Sequence, residues 1–258
     1  MAQHLLHKLI QSLTSSQKRY YKVRAGSDKK QRNYLQLFDA LDQMHRYDEE
    51  LLRRKLKGSK ILKSLSSEKN YLYEHLLMVM RGYSAKKSAS IRLNGMLQDI
   101  EFLHRQSQME ACRRRIRKAR REAEQFELYT ISLQLIDYEL SMIPTYQGDR
   151  LAEFDRIEQD YRETIRKYQQ LVVLQQASRG LHTTQKGPHF ESMLERFLPR
   201  IKNKGLDQNM TFYMATRLLN IQSRQAFHKR DHKEAARISG ETVAAYQSRP
   251  DFMQEKAL

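Results

Sequence analysis

Apolar residues return every three or four positions along almost the whole chain, the period of a helix with one buried face. Leu5, Leu6, Leu9, Ile10 and Leu13 predict a first helix over about 4–13. Thr14, Ser15 and Ser16 offer N-caps to a short second helix running through Arg24, and the run from Ala25 to Asp28 breaks it. Tyr34, Leu35, Leu37, Phe38, Leu41 and Met44 mark a third helix. A fourth opens at Tyr47 with acids in its first turn and Arg53, Arg54, Lys55 and Lys57 later, as the helix dipole favours. Gly58 is its expected C-cap. Ser66 or Ser67 is expected to cap a helix carrying Tyr71, Leu72, Leu76, Leu77, Val79 and Met80. Further helices are predicted over 86–105, 108–124 and 126–142, with a corner at Pro144 and Gly148. A long helix over 150–177 carries Phe154, Ile157, Tyr161, Ile165, Tyr168 and Val172 as its apolar line. A loop over 179–188 and a short helix over 188–201, bent at Pro199, lead to a helix pair over 208–228 and 231–248. A last helix starts near Asp251.

Composition strengthens this reading. Nine Gly and four Pro in 258 residues are too few to punctuate a many-stranded fold. Successive helices with short connections predict hairpins stacked in order. Two stretches fit the 34-residue tetratricopeptide pattern. In one, Met96, Ile100 and Leu103 line a first helix, and Cys112, Ile116 and Ala119 take the small-large-small positions of the second. In the other, Leu219, Ser223 and Ala226 precede a turn, and Asp231 to Ala235 enters the second helix, although Ser239 stands where a large residue is usual. The expected fold is all-α: an irregular α-solenoid of antiparallel, tetratricopeptide-like helix pairs over 84–258, preceded by a small basic helical bundle over 1–83. No capping element closes the C-terminal end, so a truncated solenoid is expected.

The net charge of +17 lies on one side of the chain. Residues 1–125 hold 28 Lys and Arg against 13 Asp and Glu, and residues 126–258 hold 19 against 17. Such a half favours an acidic partner. The densest run is Arg113, Arg114, Arg115, Arg117, Lys118, Arg120 and Arg121. With Ile116 and Ala119 inward, Arg113, Arg114, Arg117, Lys118 and Arg121 cover the outer face. They form either a solvated surface or an anion-binding stripe, joined in the second case by Arg53, Arg54, Lys57, Lys60 and Lys63. Before Asp28 the chain has cations and no acid, as in a transit peptide, but the stripe from Leu5 to Leu13, continued by Tyr20, Tyr21 and Val23 without a processing signal, reads as an ordinary amphipathic helix. No apolar run is long enough to span a bilayer.

Motifs for catalysis are missing from the sequence. It contains no Gly-rich phosphate loop and no G-x-S-x-G elbow. Cys112, the lone cysteine, sits among cations that favour a thiolate, yet its register places it on the packed face as an inert thiol. His228 and His232 are four apart beside Asp231, but across a turn; His4 and His7 have no acid nearby. Asp149, Glu153, Asp155, Glu158, Asp160 and Glu163 read as a solvated face with pairs such as Glu158–Arg162 and Glu163–Lys167. No cofactor, metal or catalytic residue is expected. The helices over 34–44, 48–57 and 66–82 also allow a helix-turn-helix-like unit whose third helix exposes Lys69, Asn70 and Arg81. Its long connection over 58–65 and the core-like Tyr71, Tyr73, Leu76 and Leu77 count against it.

The segments LIQSLTSSQKRYYK, NYLQLFDALDQMHRYDEELLRRKLKG and SSEKNYLYEHLLMVMRGY resemble a group of bacterial proteins with tetratricopeptide-like helical repeats. The later KRDHKEAARISGETVAAYQSRPDFMQEKAL is similar to a repeat of that group, with Lys229-Arg230 where a Gly is usual. The resemblance implies a longer parent protein and a cytoplasmic bacterial setting, and it carries no activity or functional residues. The expected function is a non-enzymatic scaffold binding a protein or peptide, with polar and aromatic residues gathered in a groove. The alternative is a nucleic-acid-binding protein that uses the basic half.

Overall fold

The computed structural model describes residues 3–25, 31–143, 151–183, 192, 196 and 210–256. Among the described residues are twelve α-helices, one 3₁₀ segment and no β-strand. The chain is all-α, as expected. The predicted corner at 144–148 and most of the helix over 188–201, with its bend at Pro199, lie outside the described residues, as does the break over 26–28. The chain divides into two compact units, Met1–Lys87 and Ser88–Leu258. The expected boundary at 83/84 falls at the end of the last helix of the first unit.

In the first unit, α1 (Gln3–Ser12), α2 (Ser15–Ala25), α3 (Gln31–Asp42), α4 (Glu49–Lys55), a 3₁₀ turn (Lys60–Ser64) and α5 (Leu65–Ser84) surround one apolar core. Thr14 and Gln17 form a capping box at the start of α2: each side chain bonds the other's backbone N–H, at 3.3 and 2.8 Å. Asp48 caps α4 by accepting from the Leu51 N–H at 3.0 Å. The expected cap at Ser66 or Ser67 is replaced. Ser59 caps the 3₁₀ turn instead, and burial of Ile61 and Leu65 draws the chain into α5 earlier. Gly58 lies two residues past the α4 C-cap, Leu56, at φ +86°, where a glycine is needed.

Tyr21 stacks on Phe38 at 4.8 Å, and its hydroxyl meets Nδ1 of the buried His75 at 3.1 Å. Burial holds the His75 imidazole below its usual pKa by disfavouring its charged form. Leu6 and Ile10 of α1 belong to this core. The same helix closes the C-terminal end of α3: His7 Nε2 lies 2.7 Å from the Met44 carbonyl, and the Gln11 amide donates to the Leu41 and Asp42 carbonyls at 3.2 and 3.0 Å. The Leu41 and Asp42 carbonyls are among those a helix leaves unpaired.

The second unit comprises α6 (Ala89–Arg105), α7 (Met109–Gln125), α8 (Tyr129–Ser141), α9 (Leu151–Thr183), α10 (Phe212–His228), α11 (His232–Ser248) and α12 (Pro250–Lys256). Each helix packs on the next. The turns after α6, α7 and α10 are one structure used three times. Ser107, Glu127 and Arg230 take φ of 56°, 52° and 61°. The residue after each returns its N–H to the third-last carbonyl of the preceding helix: Gln108 to Leu103, Leu128 to Ala123, Asp231 to Ala226, at 2.9, 2.9 and 3.0 Å. This is a Schellman closure with no glycine in it. It explains why α8 starts at Tyr129 rather than 126. At the end of α9, the expected loop from 179 is helical to Thr183, because Ala177 and Ser178 are still buried.

The residues expected inside the first helix pair are there. Met96, Ile100, Cys112, Ile116 and Ala119 are buried in one cluster. In the second pair, Ser223 Oγ donates to the Ala235 carbonyl at 3.1 Å and meets Ser239 Oγ at 2.8 Å. Ser239 therefore supplies a hydrogen bond at the contact where a large residue was expected.

Candidate functional site

A strongly charged concavity of the second unit lies along α7. Cys112, Ile116, Ala119 and Ala123 turn inward, as the helical period requires. The cations at 113, 117 and 121 then follow one row, a turn apart. Arg113, Arg117 and Arg121 are exposed and line a cleft of about 660 Å³ whose other walls are α8 and α9. Arg120 and Arg156 also line it, with Glu124, Glu139, Glu153 and the apolar Ile116 and Met142.

Two of these arginines are held in place. Arg120 reaches Glu139 on α8 at 2.6 Å and Asp160 on α9 at 2.9 Å, and Arg156 pairs with Asp160 at 3.3 Å. Burial works against the Arg120 charge, and Asp160 and Glu139 more than offset it, so the guanidinium stays fixed and charged. This knot joins three helices and gives the cleft a rigid floor. Among the described residues, Arg117 and Arg121 have no ion pair, and the Arg113 guanidinium bonds the Met142 carbonyl alone, at 3.4 Å.

The expected stripe on α7 therefore divides. Arg114 pairs with Glu110 at 3.1 Å and Arg115 with Asp99. Lys118 faces a second groove, toward α6, which it lines with Arg121, Arg92 and Glu122. Arg92 Nε bonds Glu122 at 2.6 Å. Among the described residues, no aromatic side chain lines the α7–α9 cleft, contrary to the expected mixture of polar and aromatic groups.

In the first unit, Arg53, Arg54, Lys57, Lys60 and Lys63 are all exposed. Arg53 pairs with Glu49 at 3.3 Å. Lys57 and Lys55 line an open groove with Asp39 and Gln43. Lys69 is a correction: it was expected on the outer face of a recognition helix, but it is only 7% exposed. Its ammonium donates to the Tyr47 hydroxyl at 2.7 Å and to the Glu49 carboxylate. Burial alone would push the Glu49 carboxyl up, but bonds from Lys69 and Tyr47 and the charges of Lys69 and Arg53 hold it below its usual range. Tyr71, expected in the core, is 51% exposed.

Cys112 is buried, with its thiol 3.7 Å from the Ile100 carbonyl, and burial raises its pKa despite Arg113. His228 closes α10 and His232 opens α11. No group of three His, Cys, Asp or Glu side chains placed to share a metal ion occurs among the described residues. On α9 the pairs Glu158–Arg162 and Glu163–Lys167 form at 2.6 and 2.7 Å. Asp160 leaves that face to bind Arg120, a contact forty residues away in sequence that no local pattern signals.

No helix among the described residues is long and apolar enough to cross a membrane. Family models, curated proteins and solved structures contain no match to this chain.

Proposed function

We propose that this chain is a non-enzymatic helical-repeat scaffold of the cytoplasm, an irregular solenoid of tetratricopeptide-like pairs, and that it holds an acidic segment of a protein partner in the α7–α9 cleft. The supporting observation is the row Arg113, Arg117 and Arg121, open to solvent above a floor locked by Arg120, Glu139 and Asp160. Guanidinium groups bind carboxylates through paired, planar hydrogen bonds. The carboxylates in the same cleft favour a peptide over a polyphosphate. Glu124 and Glu153 repel phosphates and acidic side chains alike, but only a peptide also offers them backbone N–H groups to accept. Sequential packing of α6 to α11 supports the repeat reading.

The test is fluorescence anisotropy of a labelled Asp- and Glu-rich peptide, with a neutral peptide of equal length as control. The acidic peptide is expected to bind, and Arg113→Ala with Arg117→Ala to weaken it by about tenfold, roughly 1.4 kcal/mol. Arg54→Ala with Lys57→Ala should change little. Absence of binding, or equal binding by the double α7 variant, removes the reading. Stronger binding of an oligonucleotide at these same arginines would replace the peptide with a nucleic acid.

A further inference from the structure

The stretches 1–27 and 75–98 both contain no acidic residue. The first unit packs α2, from one stretch, against α5, whose C-terminal end belongs to the other. Tyr20 and Tyr83 meet there edge to face, with ring centroids 5.1 Å apart. Cations gather on both rings. The Arg24 guanidinium and the Lys86 ammonium lie 5.7 and 5.6 Å from the Tyr20 ring, and Lys87 lies 5.4 Å from the Tyr83 ring. Gly82 runs beside the Tyr20 hydroxyl, where a Cβ would sit at 3.6 Å, so the backbone adds no bulk to the patch.

Core packing does not explain the pair. Tyr20 and Tyr83 are only half-buried and lie outside the apolar cluster that holds Tyr21, Phe38 and Leu72. Helix-end electrostatics account for Arg24, in the last turn of α2. They also favour Lys86 and Lys87, just past the α5 C-cap Ala85, and both add exposed charge beside the rings. The cations lie over the ring faces on long, flexible side chains, so an unpaired base can take a face when the cation above it swings aside to a flanking phosphate. Base-on-aromatic stacking needs no particular base, and the cations track the backbone.

We propose that Tyr20 and Tyr83, with Arg24, Lys86 and Lys87, form a binding site for single-stranded nucleic acid on the first unit. Bases stack on the two rings, and phosphates are held by the three cations. A duplex hides its base faces and gains only the cations, so it binds more weakly. This site is separate from the α7–α9 cleft and does not depend on the reading of that cleft.

The experiment titrates the full chain with labelled oligothymidylate and oligouridylate across a salt series. Its probes also include a duplex, a base-free oligomer of abasic deoxyribose phosphate, and vesicles of anionic lipid. Tyr20→Ala with Tyr83→Ala should weaken the single strands about tenfold. Tyr20→Phe with Tyr83→Phe keeps the rings and should bind as the parent does, which separates loss of stacking from loss of fold. Circular dichroism checks the alanine pair. Lys86→Gln with Lys87→Gln should flatten the log–log salt slope by about 0.7 per lost phosphate contact. The proposal is overturned by no binding at low salt, by equal binding of the base-free oligomer or the duplex, or by binding that follows Arg113, Arg117 and Arg121 instead. Capture of anionic vesicles without capture of oligonucleotide also overturns it.

Discussion

Ser107, Glu127 and Arg230 share a backbone conformation and differ in everything else. All three sit at left-handed φ after a helix, where a side chain costs about 1 kcal/mol that glycine avoids. Ser107 and Arg230 point into solvent. Ser107→Gly and Arg230→Gly are therefore expected to raise stability by about 0.5 kcal/mol each, because the relief of strain exceeds the extra freedom of the unfolded chain. Glu127 is 7% exposed, and its carboxylate works on another helix. It accepts from the Tyr213 N–H at 2.9 Å, at the start of α10, and from the Thr211 hydroxyl. Glu127→Gly removes this charged acceptor and is expected to lower stability by about 2 kcal/mol despite the same backbone relief. Urea unfolding of the three variants distinguishes them. A stabilised Glu127→Gly would mean that the carboxylate contributes nothing to α10. The departure from glycine at Arg230 is readable in the sequence; the role of Glu127 is not, because Thr211 and Tyr213, which it holds, lie more than eighty residues away.

For whole helices, periodicity located most elements because each buries a continuous stripe, and it erred where two stripes compete. On α9, Phe154, Tyr161 and Tyr168 share one row and read as core, yet they are 44%, 37% and 36% exposed. The row that meets the neighbouring helices runs through Ile157, Leu171, Leu174 and Ser178. Both rows have helical spacing, so only the packing of α8 and α10 decides between them. The candidate site was half legible for a related reason. The α7 arginines stand out locally, but their division into free and paired members depends on Glu139, Asp160 and Asp99 from other helices. The clearest long-range tie is Glu255 on α12. Its carboxylate accepts from the Ser88 hydroxyl at 3.3 Å, from the Ser90 N–H at 2.9 Å and from the Ala89 N–H, capping α6. Phe252 packs beside it against Phe126 and Phe212. Glu255→Ala is expected to cost about 1 kcal/mol, as the loss of an N-cap does. Hydrogen exchange should quicken at 250–256 and in the first turn of α6, and stay unchanged in the α10–α11 pair. Unchanged exchange at both ends of this contact would rule it out as the tie that closes the second unit.

The whole chain has two units with separate cores. The cluster around Tyr21, Leu72 and Leu76 shares no residue with those around Ile116 and Phe252. Separate cores predict separate unfolding, and the two proposed binding sites fall one to each unit. Leu72 is fully buried in the first. Leu72→Ala removes its side chain from a packed interior and should destabilise that unit by about 3 kcal/mol. A warming series of this variant, followed by hydrogen exchange, should then lose amide protection in α3 and α5 while α7 and α8 keep theirs. Oligonucleotide binding should fall with α5, and acidic-peptide binding should persist to the temperature at which α7 opens. If protection in α5 and α7 is lost together, the units unfold as one, and the two activities must then disappear at a single temperature whatever surfaces carry them. If protection is lost separately but both activities follow α5, the peptide site belongs to the first unit, and the α7 arginines are a solvated face.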